Sequence, residues 1–144
     1  MSDPLKPGSV IGILGGGQLG RMLSVAASRL GYRCHIFEPG AQPPAGHVAE
    51  QVTIAPYDDH DALRAFAEAV DVITYEFENI PTAALDLLET IKPIRPGRAA
   101  LAASQDRLTE KAFLRDLGLQ TAPFADVTDA ASLDAAIAEI GAPA

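Results

Sequence analysis

The chain has 144 residues, 48% of them hydrophobic, and sets 11 Lys and Arg against 19 Asp and Glu for a formal net charge of −8. That length suits one domain with a real core, and scattered cations in an acidic chain exclude a broad nucleic-acid-binding face, which needs a positive patch. A single cysteine, Cys34, leaves no internal disulfide and fits a reducing compartment, while no apolar run reaches the roughly 18 residues of a membrane span.

Met1 to Gly8 reads as a loose start rather than a signal peptide. Val10 to Leu14 is a short apolar run ending in glycines, which predicts a buried strand. A helix is expected from about Leu19, with Leu19, Met22, Leu23, Ala26 and Leu30 as its inward stripe and Gly31 as its stop. Arg33 to Phe37 predicts a second strand, closed by Glu38, Pro39 and Gly40. A Pro- and Gly-rich loop runs through Gly46, and Gln51 to Ile54 predicts a third strand. Leu63, Phe66, Ala67 and Val70 mark the next helix, and Val72 to Tyr75 a fourth strand. Pro81 suits a helix start, with Ala84, Leu85, Leu88 and Ile91 facing inward, and Ile94-Arg95 forms a last short strand. Two more helices are expected over Arg107–Leu117 and Leu133–Ile140, with an extended stretch over Pro123–Val127 between them. Strands alternating with helices through short links predict an α/β fold: a Rossmann-like open parallel sheet covered on both faces. Its crossovers should be right-handed. Gly141-Ala142-Pro143-Ala144 ends the last helix where another strand is expected, so the chain reads as truncated.

Gly15-Gly16-Gly17-Gln18-Leu19-Gly20 matches G-x-G-x-x-G between a strand and a helix, the context that gives that pattern physical meaning. Glycines allow a tight turn, and free amides at a helix start attract an anion. The same loop also serves as a mere tight turn packed on the sheet. Gln18 is either a ligand-facing amide or a solvated surface residue. A dinucleotide needs an acidic residue near the end of the second strand, and Glu38 occupies that place.

Tyr75-Glu76-Phe77-Glu78-Asn79 follows an apolar strand at the carboxyl edge of the sheet, where open α/β folds collect ligands. If the extended form persists, alternation places Glu76 and Glu78 on one side. Such carboxylates accept ribose hydroxyls, hold Mg²⁺, work as an acid–base pair or cap the next helix. His35 reads as sheet packing, and His47 and His60 lack spaced partners for a zinc site. Neither a G-x-x-x-x-G-K-[ST] loop nor a G-x-S-x-G elbow is present, so no catalytic nucleophile and no metal ligand set is assigned.

Three segments together, Gly15 to Met22 (GGGQLGRM), Tyr75 to Asn79 (YEFEN) and Ser104 to Lys111 (SQDRLTEK) with Phe113-Leu114, resemble the start of the N5-carboxyaminoimidazole ribonucleotide synthetase family, the ATPase subunit of phosphoribosylaminoimidazole carboxylase in the ATP-grasp superfamily. The resemblance runs from Val10 to Pro143. It implies a flexible segment over 1–9, a pre-ATP-grasp domain over 10–103, and linking helices over 104–144 that lead to a missing ATP-grasp domain. It implies carboxylation of 5-aminoimidazole ribonucleotide with ATP and bicarbonate, through carboxyphosphate, as part of purine biosynthesis. Gly17, Gln18, Leu19 and Glu76 would then bind the ribonucleotide, and Arg107 would contact ATP, its bland alternative being an ion pair with Glu110. Mg²⁺ would be bound by the missing downstream region. The resemblance further implies a cytoplasmic homodimer when full length, with no nucleic-acid or membrane partner, and an isolated chain inactive by itself. Two alternatives remain: a dinucleotide-binding domain of an NAD-dependent oxidoreductase, and the front domain of another ATP-grasp ribonucleotide ligase or transformylase, whose loop commonly carries glutamate where this chain has Gln18.

Overall fold

The computed structural model describes residues 4–141. Within them the chain divides into two compact units, the first running to Ala102 and the second beginning at Ala103. The expectations for Met1 to Gly8 and for Gly141 to Ala144 each fall partly outside the described residues.

The first unit is built on four strands, β1 (Val10–Leu14), β2 (Arg33–Glu38), β3 (Gln51–Ile54) and β4 (Val72–Tyr75). All pair in parallel in the order β3-β2-β1-β4, which confirms the open parallel α/β sheet. Apolar runs with one residue type on both faces are what such a sheet requires, because helices cover each side. Leu14, Phe37 and Ile73 point to one side, into a core completed by Leu63, Phe66, Leu85 and Leu88. Those residues come from α2 (His60–Glu68) and α3 (Thr82–Glu89). Ile13, Cys34 and Ile36 point to the other side, against Ala27 of α1 (Gln18–Arg29) and Ala45. A fully buried Phe or Leu contributes about 1.5–3 kcal/mol, so these two layers hold the sheet.

Several local details differ from the sequence expectations. The buried face of α1 is Gly20, Ser24 and Ala27, not the expected apolar stripe: Leu19, Met22, Leu23 and Leu30 are 41–70% exposed. The reason is steric. Gly20 lies so near the Gly15 carbonyl that an added Cβ would come within 2.5 Å of it, so only small residues fit on that side. The loop before Gly46 contains a short 3₁₀ turn, Pro44–His47, whose first turn is seeded by a proline with fixed φ. Ile94 makes only an isolated parallel bridge to Ile73 rather than a strand. Another helix, α4 (Arg98–Ser104), has Leu101 as its single buried residue, too sparse a stripe for periodicity to reveal.

The second unit holds α5 (Arg107–Asp116) and α6 (Ala130–Ile140), started by Asp106 and Asp129 as N-caps. Pro123–Val127 between them carries no strand. None of the described residues in this unit is buried. Phe124 instead lies under the Lys111 ammonium and the Arg115 guanidinium, 5.3 and 5.2 Å from its ring centre, a cation–π arrangement.

His35 packs on the sheet as expected. It is 6% exposed, edge-on to Phe66 at 4.9 Å, with its Nε2 2.8 Å from the Thr53 hydroxyl. Burial holds its pKa below the ordinary imidazole value. The unfolded chain therefore takes up a proton below about pH 6.5 while the folded chain resists it, and stability falls as pH drops through that window. Denaturant titrations at a series of pH values should show this loss setting in below about pH 6.5. His35→Gln should flatten that slope, and an unchanged slope would assign the loss to other groups.

Candidate functional site

The loop after β1 is where three neighbouring strands end. Gly15 adopts a φ of 104°, a left-handed conformation that side chains rarely tolerate, and its amide donates to the Phe37 carbonyl of β2 at 3.0 Å. Gly16 donates to the Glu38 carboxylate at 2.7 Å, and Gly17 to the Glu76 carboxylate at 3.2 Å. Glu38 closes β2 and Glu76 follows β4, so the loop is gripped from both flanking strands. A Cβ on Gly16 would lie 2.5 Å from Pro43 and 2.9 Å from Glu38, and one on Gly15 would meet Glu76 at 2.8 Å. Gly16 is thus required by the nearness of Pro43 and Glu38, and Gly15 by its left-handed backbone.

Helix α1 begins immediately afterwards. Its N-cap is Gly17, which has no side chain to satisfy the helix end. The first amides of a helix lack internal partners and carry the positive end of its dipole. Gln18 and Leu19 sit on this first turn with exposed side chains. The structure therefore brings Gly17, Gln18, Leu19 and Glu76 to one edge of the sheet.

Glu78 does not join Glu76. The extended form stops at Tyr75 and the chain turns, so the period-two alternation never reaches Glu78, which is exposed. Nor do these acids supply the cap of α3: its N-cap is Pro81, with no side-chain cap bond. Glu38 also has a different role from the one a dinucleotide would give it. Its second oxygen accepts from the Gly40 amide at 2.9 Å, so both oxygens are engaged by backbone within the loop region. Both oxygens thus brace the loop backbone, a role that the dinucleotide pattern does not assign to this residue.

Sequence reading passed over Tyr57. It follows β3 by three positions, at the same carboxyl edge, and its ring stacks on Phe37 at 5.6 Å. Its hydroxyl is buried without a hydrogen-bond partner among the described residues. Burial, and then the nearby Glu38 and Glu76 charges, push its pKa well above the ordinary phenol value, so it stays a proton donor. The available signal was its place just beyond a strand's carboxyl end.

Arg107 belongs to the second unit, at the first position of α5. Its guanidinium pairs with Glu110, one turn on, yet its side chain is 80% exposed. Asp106 accepts from the Thr109 amide and hydroxyl, each at 2.8 Å, which lowers the Asp106 pKa and anchors the helix start beside Arg107. Among the described residues, no three His, Cys, Asp or Glu side chains are grouped so as to hold a metal ion.

A parallel α/β sheet with a glycine loop at its carboxyl edge, opening onto an uncapped helix, defines a nucleotide-type binding domain. Comparison with known proteins makes this specific. The model of the ribonucleotide synthetase preATP-grasp domain family matches residues 9–105, and the chain belongs to that family. It is 54% identical over 137 residues to an N5-carboxyaminoimidazole ribonucleotide synthase of Brucella melitensis biotype 1, covering 95% of this chain and 38% of that protein. A crystal structure of an N5-carboxyaminoimidazole ribonucleotide synthetase in complex with ADP superposes with a TM-score of 0.92 at 40% identity, covering 99% of this chain and 38% of the other. The Aspergillus clavatus N5-carboxyaminoimidazole synthase, solved with ADP and 5-aminoimidazole ribonucleotide, superposes with a TM-score of 0.84 at 28% identity over 95% of this chain and 37% of the other. The chain thus spans a little over a third of the length of such relatives.

The Gly20 contact makes a sign-reversed prediction. Glycine to alanine inside a helix normally stabilises, but here the new methyl group meets backbone. Gly20→Ala should therefore destabilise the domain by about 1–3 kcal/mol, measured by urea unfolding. A gain in stability would show that α1 stands farther from the loop.

Proposed function

We propose that this chain is the ribonucleotide-binding front of an ATP-dependent carbon–nitrogen ligase that carboxylates 5-aminoimidazole ribonucleotide. The observation that carries the reading is the Glu76 carboxylate held against the Gly17 amide, beside exposed Gln18 and Leu19 at the start of α1. A ribonucleotide offers hydroxyls that a carboxylate accepts, and polar or anionic oxygens that a helix start accepts into its amides. Gln18 supplies both a donor and an acceptor, and Leu19 an apolar contact. Membership of the family and the match to a synthase solved with this ribonucleotide support the assignment.

The chemistry follows from the reactants. Bicarbonate is a poor electrophile until ATP transfers a phosphoryl group to one of its oxygens, giving carboxyphosphate and ADP. The exocyclic amine of the ribonucleotide then attacks the carboxyphosphate carbon, or CO₂ released from it, and phosphate leaves as the N5-carbamate forms. The task of this domain is to hold the amine in place while water is kept away. Arg107, exposed and anchored at the start of α5, is suited to phosphate oxygens of ATP once it leaves Glu110. Mg²⁺ accompanies ATP and neutralises its phosphates, and in this reading other parts of the enzyme hold it. A cytoplasmic homodimer completes the reading, in keeping with a soluble metabolic ligase; no helix among the described residues is long and apolar enough to cross a membrane.

Calorimetric titration of the complete enzyme with 5-aminoimidazole ribonucleotide tests the site. Glu76→Gln should weaken binding by roughly tenfold or more, the worth of a hydrogen bond to a charged group. Saturable NAD⁺ binding with no ribonucleotide binding would overturn the assignment. In steady-state assays, Arg107→Ala should raise the KM for ATP while leaving ribonucleotide affinity near its original value. The opposite pattern would remove Arg107 from the ATP site.

A further inference from the structure

Tyr57 has no part in the reading above, and its hydroxyl presents an unmet donor. The ring stacks on Phe37 and the hydroxyl is buried without a partner among the described residues. Leaving such a group unpaired is unfavourable in the unliganded protein. The acidic groups acting on it are Glu38 and Glu76. Glu38 is immobilised, since each of its oxygens accepts from a backbone amide, at 2.7 and 2.9 Å. Glu76 is held by one long bond of 3.2 Å, and its other oxygen accepts nothing among the described residues. Of the two carboxylates, Glu76 is therefore the one free to move.

The amide that Glu76 occupies belongs to Gly17, at the N-cap of α1, where a ligand anion is also drawn. Carboxylate and ligand compete for the same donor. We propose that Tyr57 is a positioning residue for Glu76: when an oxygen of the ribonucleotide takes the Gly17 amide, the displaced carboxylate accepts its replacement hydrogen bond from the Tyr57 hydroxyl. The inference rests on the ribonucleotide reading and deepens it. Glu76 then has two settings, closing the loop without ligand and turned to Tyr57 with it. In the second setting the phenol satisfies one carboxylate oxygen and leaves the other for the ligand's hydroxyls. The Tyr57 ring stacks on Phe37, the Phe37 carbonyl takes the Gly15 amide, and the Glu76 side chain lies against Gly15, so phenol and carboxylate meet at one corner of the loop.

The test uses the complete enzyme and Tyr57→Phe, which keeps the stacked ring and removes only the donor. Without ligand, its melting temperature should equal or exceed that of the original protein, because an unpaired polar group has been deleted. Its affinity for 5-aminoimidazole ribonucleotide should fall roughly tenfold to a hundredfold. In a Glu76→Gln background the same change should have much less effect, the non-additivity of two groups acting as one. Full affinity in Tyr57→Phe overturns the inference, and so does an equal loss in both backgrounds. If Glu76→Gln itself binds the ribonucleotide normally, the site assignment fails first and this inference with it. A large drop in melting temperature without ligand would mark Tyr57 as a structural residue and overturn the inference as well.

Discussion

The first unit is organised around two carboxylates that sit on successive amides of one loop. Glu38 takes the Gly16 amide and Glu76 the Gly17 amide. These side chains come from the ends of β2 and β4, the two strands flanking β1, from which the loop springs. Three parallel strands are thereby tied at their carboxyl edge by charge-assisted hydrogen bonds, which are stronger than neutral ones. Gly16 follows from this arrangement, because a side chain there would strike Glu38 or Pro43, while Gly15 is set by its left-handed turn. The start of α1 follows too. Its axis must pass close to the Gly15 carbonyl, and its inner face is made of Gly20, Ser24 and Ala27.

This arrangement alters what the glycine motif means. In a dinucleotide site the loop amides stay open for a pyrophosphate and the acidic residue at the end of the second strand waits for ribose. Here the acidic residue has turned inward and become part of the loop. It braces the loop instead, at the edge of a cavity lined by Gly16, Gly17, Glu38 and Gly40.

The sheet was legible because parallel strands need continuous apolar runs, and Val10–Leu14, Gln51–Ile54 and Val72–Tyr75 coincide with their observed bounds. The faces of α2 and α3 were legible for a related reason, since Leu63, Phe66, Leu85 and Leu88 are large and recur at helical spacing. The orientation of α1 was hidden. Periodicity weighs size and hydrophobicity, whereas this helix is oriented by steric room, which favours its smallest residues. Helix α4, with its small apolar residues and single buried leucine, escaped for want of contrast. Glu76 could be located at the carboxyl edge of the sheet because it directly follows a strand. The separation of Glu76 from Glu78 depends on where extended backbone gives way to a turn, and local pattern does not encode that point. Tyr57 escaped because a lone aromatic after a strand reads as ordinary packing until the hydroxyl's surroundings are known.

The inward carboxylates also bear on how fast an anionic ligand can arrive. The chain carries a formal charge of −8, and two of its acids stand at the mouth of the glycine loop. A phosphorylated molecule approaching that edge climbs a repulsive potential, and added salt lowers that barrier by screening it. In this domain taken by itself, encounter quickens as ionic strength rises, the reverse of the behaviour expected where phosphate is met by a bed of lysines and arginines.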